Sequence, residues 1–252
     1  MEDATDRPSY EPELAEPPTP STKQKYSAVQ RLWMMFTSPG EVFSDIGVKP
    51  TWVLIMVTLL VLGVAYQAVV IPHVDIEETI RARLAEQERD VSEEQVQAAV
   101  KITGTIARLS AIAIPILGLI IAALFFFMMM KIVGSDADFS RALSTTLHGY
   151  WPPMLVQMVL TAVLVQRIDK VQPGQLEHVV KANLGAFLSP DVPAWLMAAA
   201  NTVSIFNVWA VVLLIIGVAA VGKIDRGKAI AVVAVPWIAW ILFKTALTAL
   251  FS

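Results

Sequence analysis

Three polar side chains, Asn201, Ser204 and Asn207, interrupt a long apolar run. At positions i, i+3 and i+6 they lean to one face of a single helix. On such a face, amides and a hydroxyl can hydrogen-bond a neighbouring helix, at about 0.6–2 kcal/mol each. They can also line a path for a polar solute. His148 stands just before Tyr150-Trp151-Pro152-Pro153, where it reads as a packed imidazole or as a proton carrier. Lys244 lies inside the last apolar run. An ammonium at the centre of a membrane helix costs about 2.5–3.5 kcal/mol, so Lys244 is expected to snorkel outward. These five residues form the candidate intramembrane polar cluster.

Other chemistry finds no support. There is no H-E-x-x-H, no G-x-S-x-G and no glycine-rich phosphate cradle. His73, His148 and His178 have no partners at metal-ligand spacing, and the chain has no cysteine. That removes disulfides, thiolate metal sites and cysteine nucleophiles. No carboxylate sits deep in an apolar run, which argues against a carboxylate proton relay. No basic stripe with interleaved aromatics suggests nucleic acid. The expectation is a protein that is not an enzyme, with no cofactor and no resident metal.

The elements that must position these groups are apolar stretches at about 51–71, 109–130, 147–165, 194–221 and 229–251. A hydrocarbon core of about 30 Å needs about 20 apolar residues in helical form. Backbone groups inside it must be satisfied within the segment, so each stretch should be a helix. The chain is 56% hydrophobic and 16% charged, against about 25% charged in ordinary soluble domains. A soluble helical bundle fails because its helices are amphipathic and do not stay apolar on every face for 20 residues. The expected fold is all-α: a polytopic membrane helix bundle with five transmembrane helices, N-terminal interfacial helices and an extramembrane helical hairpin.

The flanks add detail. Residues 1–25 alternate proline with acid and read as a disordered tail, leaving 26–251 as the membrane domain. Val29, Leu32, Trp33 and Phe36 fall at helical spacing. Ser38, Pro39 and Glu41 read as a capping box that starts a second short helix carrying Phe43 and Ile46. Trp33, Phe36, Ser38, Pro39, Glu41 and Phe43 are therefore the candidate interfacial segment, two helices lying on the membrane. Residues 75–107 read as the hairpin outside the bilayer, with a second capping box at Ser92 and Gln95. Ser135 or Asp138 is expected to cap the helix after it, and Pro152-Pro153 to kink or restart that helix.

Lysine and arginine gather in the 131–141 and 222–228 turns and ahead of the first apolar stretch. The positive-inside bias places the N-terminus and both turns in the cytoplasm. An odd number of spans then puts the C-terminus outside.

Several motifs carry a resemblance. They run in order: S-P-G-E-V-F at 38–43, K-P-T-W at 49–52, G-S-D-A-D-F-S-R-A-L at 134–143 and G-Y-W-P-P at 149–153. N-L-G-A-F-L at 183–188 and S-I-F-N-V-W at 204–209 follow, and then the terminal pair of spans. Their order and spacing over about 30–250 resemble the bacterial branch of the YIP-domain family of five-span membrane proteins. The resemblance implies a cytoplasmic N-terminus, in agreement with the charge reading. Eukaryotic members resemble trafficking factors that bind small Rab-type GTPases. The bacterial branch implies no settled activity, and no catalytic residue is carried over.

The expected function is a non-enzymatic, multi-pass protein of the cell (inner) membrane. Its partners would be the lipid bilayer and a protein at the cytoplasmic N-terminal segment. The alternative is a transporter, channel or lipid-moving protein with a polar path near the fourth span.

Overall fold

A computed structural model describes residues 24–86, 92–172, 176, 179–189 and 191–251. The helices are α1 (Ala28–Met34), α2 (Pro39–Val48), α3 (Trp52–Val70), α4 (Ile76–Glu86), α5 (Glu93–Ile132), α6 (Phe139–Val165), α7 (Ala194–Thr202), α8 (Ile205–Gly222) and α9 (Arg226–Phe251). Short 3-10 turns cover Ile71–His73 and Leu184–Phe187. Among the described residues the only extended pairings are two isolated bridges, Val74 with Val171 and Asn183 with Ser204.

Among the described residues, four helices are long and apolar enough to cross a membrane: α3 with its following turn, α5, α8 and α9. The first half of α6 holds Ser144, Thr145, Thr146 and His148, and its middle holds Pro152 and Pro153. That composition leaves α6 outside the four, despite its 27 residues.

Several expectations need correction. The 194–221 stretch is two helices, because Ser204 adopts an extended conformation and starts α8 as its N-cap. The hairpin is not separate from the second apolar stretch. Its second arm runs straight into α5, whose 40 residues reach about 60 Å at 1.5 Å per residue. The hairpin's first arm, α4, packs against the start of that helix, where Arg81 bridges Glu77 at 2.8 Å and Glu93 at 2.5 Å. Pro152-Pro153 does not restart the helix, and Pro115 and Pro236 likewise lie inside α5 and α9. Pro152 and Pro153 are both buried inside the bundle, so packing holds α6 across the donors they lack.

The capping signals divide. Ser92 and Gln95 make the reciprocal box, and Asp138 caps α6. Ser135 instead donates to the Gly222 carbonyl at 3.0 Å. Ser38 precedes Pro39 as expected, yet its side chain caps nothing, and the box forms at Ser27 and Gln30.

The main core lies where α2, α3, α5, α6 and α8 converge. Phe43, Ile46, Ile55, Met130, Leu147, Leu214 and Val218 are buried there. Gly217 lets this happen: a Cβ on it would stand 2.7 Å from both Phe43 Cε1 and Thr145 Cγ2. A smaller cluster of Val70, Val165 and Val171 closes the other end. The exteriors of α3, α5 and α9 carry exposed Val, Ile, Leu and Phe along their lengths. On a helix bundle that surface suits lipid.

Candidate functional site

The N-terminal hairpin is built around a buried charge. Arg31 on α1 donates from Nε to Asp45 Oδ2 at 3.1 Å and from Nη2 to the Asp45 carbonyl at 3.2 Å. Its Nη1 reaches the Lys49 carbonyl at 2.7 Å and Thr51 Oγ1 at 2.6 Å. Asp45 also accepts from the backbone N–H groups of Lys25 at 2.6 Å and Tyr26 at 3.0 Å. One ion pair thus ties the chain before α1, both hairpin helices and the entry to α3. Desolvation pushes the Asp45 carboxyl upward, but the two N–H donors and the guanidinium outweigh it and hold it below the usual carboxylate range.

Further bonds fasten the hairpin to the bundle. Trp151 Nε1 donates to the Leu32 carbonyl at 2.9 Å, and Arg141 Nε to the Gly47 carbonyl at 2.9 Å. Phe36 meets Trp209 with ring centroids 6.2 Å apart, Phe43 lies against Gly217, and Gly47 lies beside Val221. The near-constant offset of these pairs shows that α2 runs parallel to α8. The turn between α1 and α2 therefore sits about 20 Å along α8 from Gly222.

This revises the interfacial segment. Phe43 is inside the core and Phe36 packs at its edge, so α2 spends its apolar face on protein rather than lipid. The apolar stripe of α1 is split by Arg31, which turns inward with Met35 and leaves Val29 and Trp33 facing out, 67% and 75% exposed. Glu41 is exposed, where it accepts from Lys25 Nζ at 2.8 Å and from the Tyr26 hydroxyl. Those bonds, that of Lys25 first, lower its carboxyl from the usual range. Pro39 opens α2. The tail reading covers mostly residues 1–23, which lie outside the described residues.

The intramembrane cluster does not form one polar face. Ser204 Oγ accepts from the Asn207 N–H at 3.1 Å, and Asn207 Nδ2 donates to the Thr202 carbonyl at 2.8 Å. Both side chains repair the break between α7 and α8. Opposite it, Leu184 N–H donates to the Val203 carbonyl at 3.0 Å and Ile205 N–H to the Ala182 carbonyl at 2.9 Å. Asn183 caps the 3-10 turn, and Asn201 comes so close to Gly185 that a Cβ there would lie 1.9 Å from Asn201 Oδ1. A hollow of about 300 Å³ remains between Lys181, Asn183, Gly185, Ala186, Met197 and Asn201.

His148 is elsewhere, buried in α6 with Nδ1 on the Ser144 carbonyl at 2.8 Å. A carbonyl only accepts, so Nδ1 carries a proton in this arrangement. Lys244 stands on α9, partly buried. The antiparallel run of α8 and α9 from their short turn brings it level with the α7–α8 break.

Sequence reasoning missed Arg31 and Asp45. Their 14-residue separation carries no local signal, although a lone arginine inside an amphipathic stripe was a visible anomaly. It also missed Lys181 and Gly185, which only the fold brings to Asn201. Among the described residues no group of three or more His, Cys, Asp or Glu is placed to hold a metal ion.

Compared with known families, residues 33–247 match the Yip1 domain. Comparisons with curated proteins and with solved structures find no match.

Proposed function

The chain belongs to the Yip1-domain family and is an integral membrane protein, and from that premise we propose a non-enzymatic five-span protein whose N-terminal hairpin enters from the cytoplasmic side and is a docking platform. The observation that carries this reading is the hairpin itself. A buried ion pair and the Trp151 bond lock it to the bundle, yet Val29 and Trp33 are left bare beside the chain that leads to the acidic tail. Trp33 packs beside Phe36, which meets Trp209 about 20 Å along α8 from Gly222, so its bare face suits a partner helix or lipid within the bilayer.

Five spans are supported by chain direction. Ser135, just past α5, bonds to the carbonyl of Gly222 at the end of α8, so both helices finish at the same end. The chain must return between them, and α6 makes that passage. The apolar second half of α6 exposes Val159, Leu160, Val163 and Leu164. Lys131, Arg141, Lys223, Arg226 and Lys228 gather at the α8 C-terminal end with Gly47 near the end of α2, which favours a cytoplasmic placement of that end. The C-terminus is then outside, in the cytoplasmic membrane of a bacterial branch member. A transport path is less favoured, because Ser204 and Asn207 are engaged in repairing the helix break.

Deleting residues 1–47 would remove core residues Phe43 and Ile46 as well as the platform. A sharper experiment places a photo-crosslinking residue at Trp33 in native membranes. Discrete protein or lipid adducts, lost in Val29→Glu, are expected; a crosslinker that captures neither would sink the platform. Because the chain lacks cysteine, single cysteines at Gln30, Lys223 and Lys181 test topology. Labelling of Lys181→Cys from the same side as the other two would overturn the five-span reading.

A further inference from the structure

The hollow over the α7–α8 break is mostly apolar, with Lys181, Asn183 and Asn201 as its polar lining residues. At Gly185 the Asn201 amide and the Met197 sulfur lie together, 1.9 Å and 3.2 Å from where a Cβ would stand. Around it, Leu184, Phe187 and Ile205 are 53%, 83% and 67% exposed, and Trp195 is exposed as well. A four-residue turn has no reason to present Phe187 to water, and a contiguous bare patch of this kind marks an apolar partner. The turn is not loosely placed. The Asn183–Ser204 bridge, the Asn183 cap and the close fit of Gly185 on Asn201 hold it.

Its position identifies the partner's chemistry. The hollow lies where α8 begins, about 27 Å along that helix from the basic turns. That distance is close to the thickness of a hydrocarbon core, so the turn falls at the opposite membrane–water boundary. Tryptophan and lysine beside apolar side chains are the composition of that boundary. A single anionic phosphate diester would meet the Lys181 ammonium and the Asn201 amide, and its acyl chains would run past Phe187, Leu184 and Ile205.

We propose that the hollow formed by Lys181, Asn183, Gly185, Ala186, Met197 and Asn201 is a headgroup site for an anionic glycerophospholipid. None of its lining residues belongs to the N-terminal platform, and its test reads lipid retention rather than adducts at Trp33, so either reading can fail alone. The site requires the bilayer environment, and it requires glycine at 185. Any side chain there displaces Asn201 and fills the hollow.

The test compares lipid retention by the full chain reconstituted in vesicles of phosphatidylcholine with and without phosphatidylglycerol. The readouts are native mass spectrometry and the thermal midpoint. The wild-type chain should retain phosphatidylglycerol and gain a higher midpoint in its presence. Lys181→Gln, an exposed position that folding tolerates, should weaken retention about tenfold, as loss of a charge-assisted bond does. Gly185→Val should do the same, and Lys170→Gln at the same end should not. Equal phosphatidylglycerol retention by Lys181→Gln and wild type overturns the proposal. So does an equal midpoint gain from soluble glycerol phosphate, which would make the site one for a free phosphate.

Discussion

Arg31 and Asp45 lie on different helices of one hairpin and form an ion pair that water does not reach. Nη2 and Oδ2 are 3.0 Å apart, with the side chains 0% and 4% exposed. Burying two charges is tolerated only where their remaining hydrogen-bonding capacity is met. Here the guanidinium also serves the Lys49 and Asp45 carbonyls and Thr51 Oγ1, and the carboxylate also serves two backbone N–H groups. The pair fixes Arg31 of the first hairpin helix against Asp45 of the second.

Breaking it from one side should therefore be severe. Asp45→Asn or Arg31→Met leaves an uncompensated buried charge and should cost about 3–5 kcal/mol. The double substitution Arg31→Met with Asp45→Leu removes both charges and should recover most of that loss. Thermal unfolding of the detergent-solubilised chain reads the difference, and single variants that melt with the wild type would refute the role.

Acid should release the same pair. The folded Asp45 carboxyl is held below its unfolded value of about 3.9. The folded state thus binds fewer protons than the unfolded one, and its stabilisation is complete above that value. It disappears as pH falls through the folded pKa. The melting midpoint should be flat from neutral pH to about pH 5 and drop below about pH 4. The drop should be shallower in Asp45→Asn, as measured by a pH series of melts. Glu41 and Glu93 are lowered too, but both are exposed and add little.

The serine caps separate real from apparent signals. Ser27 and Ser92 each close a reciprocal box, so Ser27→Ala and Ser92→Ala should each cost about 1 kcal/mol. Ser38→Ala should be close to neutral, because the Ser38 side chain caps nothing and Pro39 removes one donor on its own. Amide hydrogen exchange in the first turns of α1, α2 and α5 distinguishes the three. Faster exchange in α2 of Ser38→Ala would contradict the assignment.

What the sequence made legible follows from the range of each signal. Apolar length is a local property, so α3, α9 and the apolar part of α5 stood where hydropathy put them. A cap is local as well, and Ser92 with Gln95 was readable. Ser38 with Glu41 has the same spacing, but Lys25 and Tyr26 compete for Glu41 from 15 or 16 residues away. The 194–221 run is apolar throughout and hid its break, because what stabilises Ser204 in an extended conformation is the backbone of Ala182 and Leu184. The motifs N-L-G-A-F-L and S-I-F-N-V-W were visible separately. Their pairing across the bridge, and the hollow it creates, depended on the fold. In α1 the helical spacing of Val29, Leu32, Trp33 and Phe36 was sound, but the buried charge of Arg31 decided which side faced in.

Gly217 tests the hairpin's seat on the bundle most directly. Its hydrogen faces the Phe43 ring and the Thr145 methyl, each 2.7 Å from where a Cβ would stand. Neither can retreat easily: Phe43 is fully buried, and Thr145 is tied by its hydroxyl to the Arg141 carbonyl at 2.8 Å. Gly217→Ala should destabilise by about 1–3 kcal/mol through overpacking. Gly63→Ala and Gly118→Ala meet nothing within 4 Å, and should be neutral or stabilise by up to about 1 kcal/mol from helix propensity. Adding Phe43→Leu to Gly217→Ala should recover part of the loss, since it withdraws the ring edge from the new methyl. Equal melting midpoints for the three alanine variants would show that α2 does not press on α8 at Gly217.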